Sequence, residues 1–412
     1  MSRRVVVTGM AGVSSLGHDW RTVRDRLLGG NSGVVVMPEW AEYEGLRSRL
    51  GAPIPDFAVP DHYTRKKTRT MGRVALLATR ATELALADSG LVRHRSLSDG
   101  SVGIAYGSTA GGMRAMEIYA ANLYTRHTLK NIAGTDYLQF MSHTCAANLA
   151  QFFGITGRVM PTSSACTAGS QAIGYAYEVL KSAKQTVMIA GGAEELHAAH
   201  VAVFDIMFAT STANETPRLT PRPFDVRRDG LVLGEGAGTL VLESLDHALQ
   251  RGAHIHAEIV GYGTNCDGQH MTNPEAGGMR RVMELALEDA GLGPHDIGYV
   301  NAHGTATEAG DIAESLATAE VFGPATPMSS LKSYLGHTLG ACGALEAWMT
   351  IEMMREGWFA PTLNLHDIDP RCGRLDYIRD ECRLLETRFV ITNNFAFGGV
   401  NTSLIFKRWD GE

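Results

Sequence analysis

The chain has 412 residues, a length typical of two or three units of domain size. Hydrophobic residues make up 44% and charged residues 20%, which excludes a disordered chain and provides for a large core. The formal net charge of −7 argues against a nucleic-acid-binding protein, which would carry a basic balance.

The N-terminus predicts a strand rather than a targeting segment. Val5–Thr8 follows Arg3 and Arg4 directly, and this apolar stretch is too short for a signal peptide. No uninterrupted apolar run approaches the roughly 20 residues that span a bilayer. We therefore expect a cytoplasmic location and no membrane span.

Short β-rich segments alternate with helical patterns through the first half of the chain. Arg73–Ser89 carries apolar residues at helical spacing, whereas Ser101–Tyr106 and Thr186–Ala190 have the composition of buried strands that run into glycine turns. This alternation predicts an α/β architecture in which the strands are buried on both faces.

Cys166 lies in the first segment with chemical character, Pro161–Ser170. Apolar side chains recur at helical spacing from Ala172 to Leu180, so Cys166 falls at or near the N-terminus of a helix. The free N–H groups and the positive end of the helix dipole would favour a thiolate there. The alternative is a buried and inert cysteine, which is the usual state of a free Cys.

The second half repeats the alternation of strands and helices. The pattern predicts strands at Gly238–Glu243, His256–Gly261, Ile297–Asn301, Phe389–Thr392 and Ser403–Phe406, and helices at Met279–Ala290 and Asp311–Val321. A duplication is compatible with this pattern, but the residues alone do not establish one. We divide the chain into residues 1–250, which carry Cys166, and residues 251–412, which carry two candidate histidines.

Those two histidines each lie beside a glycine at the end of a secondary structure element. His303 follows the predicted strand Ile297–Asn301, and His337 precedes an apolar helix. A single such histidine is more often structural, but two of them with a candidate nucleophile favour catalysis. Lys332 precedes His337 in the same turn, and Glu314 is a candidate to hold it, although a carboxylate early in a helix also complements the dipole.

Zinc is the main rival explanation for these side chains. A zinc site needs three or four converging ligands, and the short-range His/Cys spacing of such sites is missing, including any Cys-x-x-Cys pair among the six cysteines. We therefore expect no metal. A dinucleotide cofactor is not expected either, because Gly9–Gly12 lacks the G-x-G-x-x-G spacing.

Asn393–Asn401 joins the last two predicted strands. Phe395 and Phe397 beside Gly398 and Gly399 predict a mobile flap whose backbone N–H groups approach a site closely. The alternative is a tight turn with packed phenylalanines.

Taken in order, these segments resemble the elongating β-ketoacyl-[acyl-carrier-protein] synthases. The similarity covers nearly the whole chain and rests on Val6–Gly9, Thr162–Thr167, Gly191–Glu194, Arg222–Asp225, Arg228–Gly238, Asn301–Thr305, Gly310–Asp311, Lys332–His337 and Asn394–Asn401. The resemblance implies the thiolase fold, in which two similar α/β halves form a five-layered αβαβα core, usually in a homodimer.

The resemblance also implies a reaction, the decarboxylative Claisen condensation of an acyl group with malonyl-carrier protein. Cys166 would hold the acyl chain as a thioester, and His303 and His337 would act on the malonyl group. Lys332, together with Glu314, would maintain the electrostatics of the site. No cofactor is implied.

The backbone N–H groups of Cys166 and Phe397 would form an oxyanion hole, with Phe397 as the gating aromatic. The implied substrate-binding residues are Ala110, Thr305, Thr307, Phe395, Gly398 and Gly399. Ala110 stands where the family commonly has isoleucine at the pocket floor. A deeper or wider acyl channel, and a specialised polyene or polyketide-like pathway, are therefore expected.

An acidic acyl carrier protein is the implied partner, so its docking patch should be basic. The best local candidates are Arg65, Lys66, Lys67 and Arg69, which form a basic patch in the sequence; a solvated run of charges is the alternative. A homodimer, or a dimer with a paralogous ketosynthase, is also implied.

Two other functions compete with this one. A non-catalytic partner subunit, or chain-length factor, typically lacks the active cysteine, whereas Cys166, His303, His337 and Lys332 are all present here. A thiolase, which uses coenzyme A, usually combines its nucleophilic cysteine with a histidine and a second cysteine, and this sequence fits that pattern less well.

Overall fold

The computed structural model describes residues 3–411. The strands are β1 Val5–Ser14, β2 Val35–Val36, β3 Leu50–Ala52, β4 Val102–Gly107, β5 Val159–Thr162, β6 Val187–Glu194, β7 Leu233–Gly234, β8 Gly236–Ser244, β9 Ala257–Cys266, β10 Ile297–Asn301, β11 Pro327–Ser329, β12 Trp358–Phe359, β13 Asp376–Tyr377, β14 Arg383–Leu384, β15 Phe389–Phe395 and β16 Val400–Arg408. The α-helices are α1 Trp20–Leu28, α2 Arg65–Thr68, α3 Arg73–Asp88, α4 Met113–Ala120, α5 Gly134–Phe140, α6 Thr144–Phe153, α7 Ala168–Lys181, α8 Ala198–Ile206, α9 Leu245–Gln250, α10 Ala276–Ala290, α11 Glu308–Phe322, α12 Lys332–Leu335 and α13 Cys342–Glu356.

The main sheet contains the same five-stranded unit twice. The first half has the order β5-β4-β6-β8-β1, and the second half has the order β11-β10-β15-β16-β9. In each unit the first three strands are parallel, and the last two pair antiparallel. The duplication that the residues alone left open is therefore visible in the strand topology.

The two units join into one sheet where β1 pairs with β9 through Val5–Val7. The predicted boundary at residue 250 falls at the end of α9, before β9 begins at Ala257. Its position as a domain boundary stays a prediction.

Helices cover both units and also separate them. Helices α3 and α6 pack on the first unit, and α10 and α11 pack on the second. Helices α7 and α13 pack against each other between the units, and their apolar residues belong to the largest core cluster. This arrangement confirms the αβαβα layers. Within residues 3–411, every helix is too short or too polar to cross a bilayer.

Both central helices begin at the middle of the molecule, and the chain enters them through tight turns. Helix α13 is buried from Cys342 to Met354. Helix α7 starts directly after a 3₁₀ turn that contains Cys166. Side chains in these entry turns therefore face each other across the junction of the two halves.

Candidate active site

Cys166 occupies a strained turn between β5 and α7. Ala165, the first residue of the turn, has a φ of 50°, a left-handed conformation that a small side chain tolerates better than a branched one. The turn places Cys166 immediately before the first turn of α7, as predicted. Its side chain is buried, with 5% of the residue surface exposed.

His337 contacts the sulfur of Cys166. Its Nε2 lies 3.0 Å from Cys166 Sγ, and its Nδ1 accepts a hydrogen bond from the backbone N–H of Leu339 at 3.2 Å. Because Nδ1 is an acceptor, the hydrogen of the neutral imidazole resides on Nε2. His337 therefore presents an N–H donor to the sulfur and to whatever binds beside it.

His303 completes a cluster of three reactive side chains. It follows β10, and its ring centroid lies 5.2 Å from that of His337 with the two rings nearly perpendicular. The Glu314 carboxylate accepts hydrogen bonds from the backbone N–H groups of His303 and Gly304, both at 2.6 Å. Glu314 thus fixes the backbone that carries His303.

Lys332 forms a buried ion pair with Glu346 rather than with Glu314. The Lys332 ammonium donates to one Glu346 oxygen, and Asn394 Nδ2 donates to the other at 2.7 Å. The prediction that Glu314 holds Lys332 is wrong for the direct partner, because Glu346 forms the ion pair. Glu314 binds the backbone N–H groups beside His303 and acts on Lys332 only through its charge. Asn394 Nδ2 also lies 3.5 Å from His303 Nδ1, so it links the ion pair to the cluster.

Burial dominates the electrostatics of the site. It raises the pKa of the Cys166 thiol to about 12, although the Lys332 charge and the backbone N–H groups of Cys166 and Phe397 act in the opposite direction. The expected thiolate is therefore not the resting form, because desolvation outweighs the helix terminus. Burial, followed by the Lys332 charge, lowers the pKa of both His303 and His337 well below its usual range. Both imidazoles are neutral at neutral pH.

A cavity of about 400 Å³ connects the cluster to the surface. Its lining includes the side chains of Cys166, His303 and His337 with Phe204, Phe208, Met271, Thr305, Thr307, Phe395, Phe397 and Gly399. Four of the predicted substrate-binding residues are thus at the cavity, but in the described chain Ala110 and Gly398 lie outside its lining. Ala110 lies in the loop between β4 and α4, and its place at the floor of an acyl pocket stays a prediction.

Two family models match the chain. The N-terminal domain of β-ketoacyl synthases matches residues 2–248, and the C-terminal domain matches residues 256–366. The chain belongs to the β-ketoacyl synthase family. The resemblance inferred from the residues is confirmed.

Relatives of this ketosynthase align over its full length. The 3-oxoacyl-[acyl-carrier-protein] synthase 1 of Haemophilus influenzae is 37% identical over 411 residues, 99% of this chain and 100% of the relative. A crystal structure of a β-ketoacyl synthase from Burkholderia phymatum is 57% identical with a TM-score of 0.97, covering 99% of this chain and 100% of that one. A ketosynthase bound to a hexaketide, in complex with a type II polyketide acyl-carrier protein, is 29% identical with a TM-score of 0.91 and covers 99% and 100%.

The basic patch of Arg65, Lys66, Lys67 and Arg69, which we call the α2 basic patch, lies on the surface of the first half of this ketosynthase. Helix α2 is short, and its Arg65, Lys66 and Lys67 are exposed, as is Arg69 directly after it. Lys67 Nζ lies 4.8 Å from the centre of the Phe152 ring, which orients it against the body of the protein. Its part in docking a carrier protein stays a prediction.

The three reactive side chains also meet a distance criterion for metal binding, since their ligand atoms lie within 4.8 Å of one another. Sequence spacing gave no sign of this convergence, because it arises from two separate turns and a strand end. The hydrogen on His337 Nε2 and the charge of Lys332 both oppose a cation at this position. The donor set therefore fits a hydrogen-bonding site better than a metal site.

Glu346 and Asn394 are site residues that the sequence analysis did not single out. Glu346 lies in the apolar helix α13, among side chains that are almost all buried. A carboxylate in the second turn of such a helix, 14 residues after a lysine in an active-site turn, was the available signal. The sequence places Asn394 only in the predicted flap, whereas the structure buries it fully in β15.

Proposed function

We propose that this ketosynthase joins an acyl group, held on Cys166, to the two-carbon unit of malonyl-carrier protein with loss of CO2. The observation that carries the proposal is the 3.0 Å contact between Cys166 Sγ and His337 Nε2, with His303 beside it in one cavity. This set contains a nucleophile and two neutral N–H donors. It supplies what the condensation needs without a cofactor.

The first step loads the acyl group. The Cys166 sulfur attacks the carbonyl carbon of the incoming thioester, the bond between that carbon and the carrier sulfur breaks, and the carrier thiol leaves. Cys166 loses its proton and the carrier sulfur takes one up. The backbone N–H groups of Cys166 and Phe397, which already act on the sulfur, would stabilise the oxyanion.

The loading step makes the charge state of Cys166 important. His337 cannot accept the thiol proton at Nε2 while Leu339 donates to its Nδ1. His337 therefore acts as a donor rather than a general base. The Lys332 charge and the backbone N–H groups of Cys166 and Phe397 are then the factors that favour the thiolate.

The second step releases CO2 from the malonyl thioester and leaves an enolate. His303 and His337 donate N–H hydrogen bonds to the enolate oxygen, a task that suits imidazoles whose pKa is lowered, since neutral rings carry a hydrogen without adding a fixed charge. The ion pair of Lys332 and Glu346 holds the surroundings of the His303 ring through Asn394.

The third step forms the carbon–carbon bond. The enolate carbon attacks the acyl carbonyl on Cys166, the carbon–sulfur bond breaks, and the sulfur leaves as a thiolate that takes a proton from water. The product is a β-ketoacyl chain two carbons longer on the carrier protein. The negative charge of the malonyl carboxylate passes through the enolate to the Cys166 thiolate. One proton from solvent then restores the thiol.

The partner in both half-reactions is an acyl carrier protein that docks on the α2 basic patch. Support comes from the exposure of these four residues and from the ketosynthase relative seen in complex with an acyl-carrier protein. A second ketosynthase chain, identical or paralogous, completes the assembly. A chain-length factor role has no observation in its favour, because the nucleophile and both histidines are present and converge.

The test uses purified protein, malonyl-carrier protein and a panel of saturated, polyunsaturated and aromatic acyl-carrier proteins. Intact mass should show acylation at Cys166, and product analysis should show a chain two carbons longer. Preference for saturated chains places the enzyme in fatty-acid synthesis, whereas preference for polyunsaturated or aromatic chains supports a specialised pathway. If no acyl group loads onto Cys166, the catalytic proposal fails and the partner-subunit role replaces it.

A further inference from the structure

The mechanism leaves unused the carboxylate that ends the motif Gly191–Glu194. Glu194 is fully buried at the end of β6. Its Oε2 accepts hydrogen bonds from the backbone N–H groups of Thr109, at 2.7 Å, and Gly340, at 3.1 Å. Its Oε1 has no hydrogen-bond partner among the described residues. A buried carboxylate with one oxygen free is costly and calls for a physical explanation.

The two backbone groups that Glu194 holds lie in the segments that support Cys166 and His337. The carbonyl of Thr109 accepts from Ser163 Oγ at 3.3 Å, three residues before Cys166. Gly340 follows Leu339, whose N–H donates to His337 Nδ1. One carboxylate oxygen therefore links the segment that supports the nucleophile to the turn that sets the tautomer of His337.

Close packing leaves this link little freedom. A Cβ on Gly340 would lie 2.9 Å from the Glu194 carboxylate and 2.8 Å from the Thr109 nitrogen. A Cβ on Gly192 would lie 2.2 Å from the Gly340 carbonyl oxygen. The glycines of β6 and of the His337 turn thus allow the backbones to approach until both N–H groups reach Glu194.

The Glu194 charge also acts on the nucleophile. The ionisable groups that face Glu194 are Glu195, Cys145 on α6 and Cys166. Burial raises the pKa of Glu194 to about 7, against the hydrogen bonds from Thr109 and Gly340. After burial itself, the Glu194 charge is among the factors that raise the pKa of the Cys166 thiol.

We propose that Glu194 is a positioning residue that fixes the His337 turn against the support of Cys166, and that its negative charge restrains the reactivity of the Cys166 sulfur. The proposal deepens the proposed function and rests on it for the role of Cys166 as nucleophile. The restraint applies when Glu194 is ionised and is released when it is protonated. Glu194 would thereby give the reaction a pH dependence that originates outside the three reactive side chains.

The test is the rate of Cys166 alkylation by iodoacetamide between pH 5.5 and 9.5, followed by peptide mass spectrometry in wild type and Glu194→Gln. Exposed Cys266 in the same samples is the internal reference. The two proteins should react equally at about pH 6, where Glu194 is protonated. Above pH 8, Glu194→Gln should react roughly three- to tenfold faster, because the Cys166 thiol then ionises without the neighbouring negative charge.

Glu195→Gln is the matched control, because it removes a neighbouring buried carboxylate that binds the N–H groups of Val74 and Arg114. It should show no acceleration above pH 8. A rate ratio for Glu194→Gln that does not change with pH, or a ratio below one throughout, would overturn the proposal.

A measurement on wild type alone covers the case in which Glu194→Gln does not fold. The logarithm of the Cys166 alkylation rate should rise less steeply between about pH 6 and 8, where Glu194 ionises, than between pH 8 and 9.5, and one constant slope over the whole range would contradict the proposal. Alkylation needs no carrier protein, so this outcome is separate from success or failure of the condensation assay.

Discussion

The two halves of the molecule share the same strand topology but contribute different catalytic groups. Each central helix follows a 3₁₀ turn whose first residue has a left-handed backbone, Ala165 at a φ of 50° and Leu339 at 46°. The second position of the turn is Cys166 in the first half and Gly340 in the second. Two residues beyond the equivalent strand ends, the first half has Thr109 and the second has His303.

This difference shows how one duplicated frame yields a single asymmetric site. The first half supplies the nucleophile, and the second half supplies the hydrogen-bond donors and the buried ion pair. Glycine at position 340 removes the second nucleophile and lets the His337 turn approach β6. The two halves should therefore control separable steps, loading in the first and decarboxylation in the second.

The largest expected effect comes from removing the nucleophile of the first half. Cys166→Ala should lower the condensation rate on the order of 10³-fold or more, because no acyl-enzyme can form. It should still release CO2 from malonyl-carrier protein, since both histidines remain. Mass analysis of the enzyme and of acetyl-carrier protein measures the two steps. Cys382→Ala is the control in the second half, and it should load acyl groups as wild type does.

The converse variants remove the donors of the second half. His303→Ala and His337→Ala should each slow decarboxylation on the order of 10²–10³-fold, the typical effect of losing an oxyanion donor. Loading of Cys166, followed by intact mass, should persist in both. Loss of loading in His337→Ala would instead assign His337 to proton removal from Cys166 and break the separation of the halves.

The buried ion pair of Lys332 and Glu346 belongs to the second half and should dominate the stability of its surroundings. Lys332→Met leaves Glu346 charged and buried without its partner, which should cost about 3–5 kcal/mol in the free energy of unfolding. The double variant Lys332→Met with Glu346→Gln should recover much of this loss. Urea unfolding measures both, and equal losses in the single and double variants would contradict this explanation.

Carrier docking should depend on the first half. Replacing all four basic residues of the α2 basic patch by Gln should raise KM for acyl-carrier protein about tenfold at low salt and leave kcat unchanged. The difference should shrink at high salt, where exposed charges are screened. Arg280→Gln with Arg281→Gln, on helix α10 of the second half, is the control and should leave KM as in wild type.

The smallest effect concerns the pH dependence of stability. Burial raises the pKa of Glu314 to about 8, so the folded protein holds this proton more tightly than the unfolded chain does. The contribution of Glu314 to stability is therefore greatest below about pH 4.5 and is lost as the pH rises to about 8. Glu314→Gln should gain stability relative to wild type across this range, on the order of 1 kcal/mol or more. A difference in unfolding free energy between Glu314→Gln and wild type that does not change with pH would contradict this prediction.

Local sequence was sufficient for the elements and for the reactive side chains. Helix α3 ends within one residue of its prediction, because its apolar spacing and following glycine are local signals. Cys166, His303 and His337 were found because each lies at the end of an element beside small residues. The family resemblance added the reaction that these residues perform. It too rests on the residues themselves.

The tertiary structure decided which groups touch and which protonation states result. The partner of Lys332 is Glu346 on another helix, and the duplication appears only in strand order, since neither depends on neighbours in sequence. Burial reversed the expected ionisation of Cys166, because desolvation depends on atoms brought together from both halves. The residue types determined what chemistry is available, and packing determined its charges and its geometry.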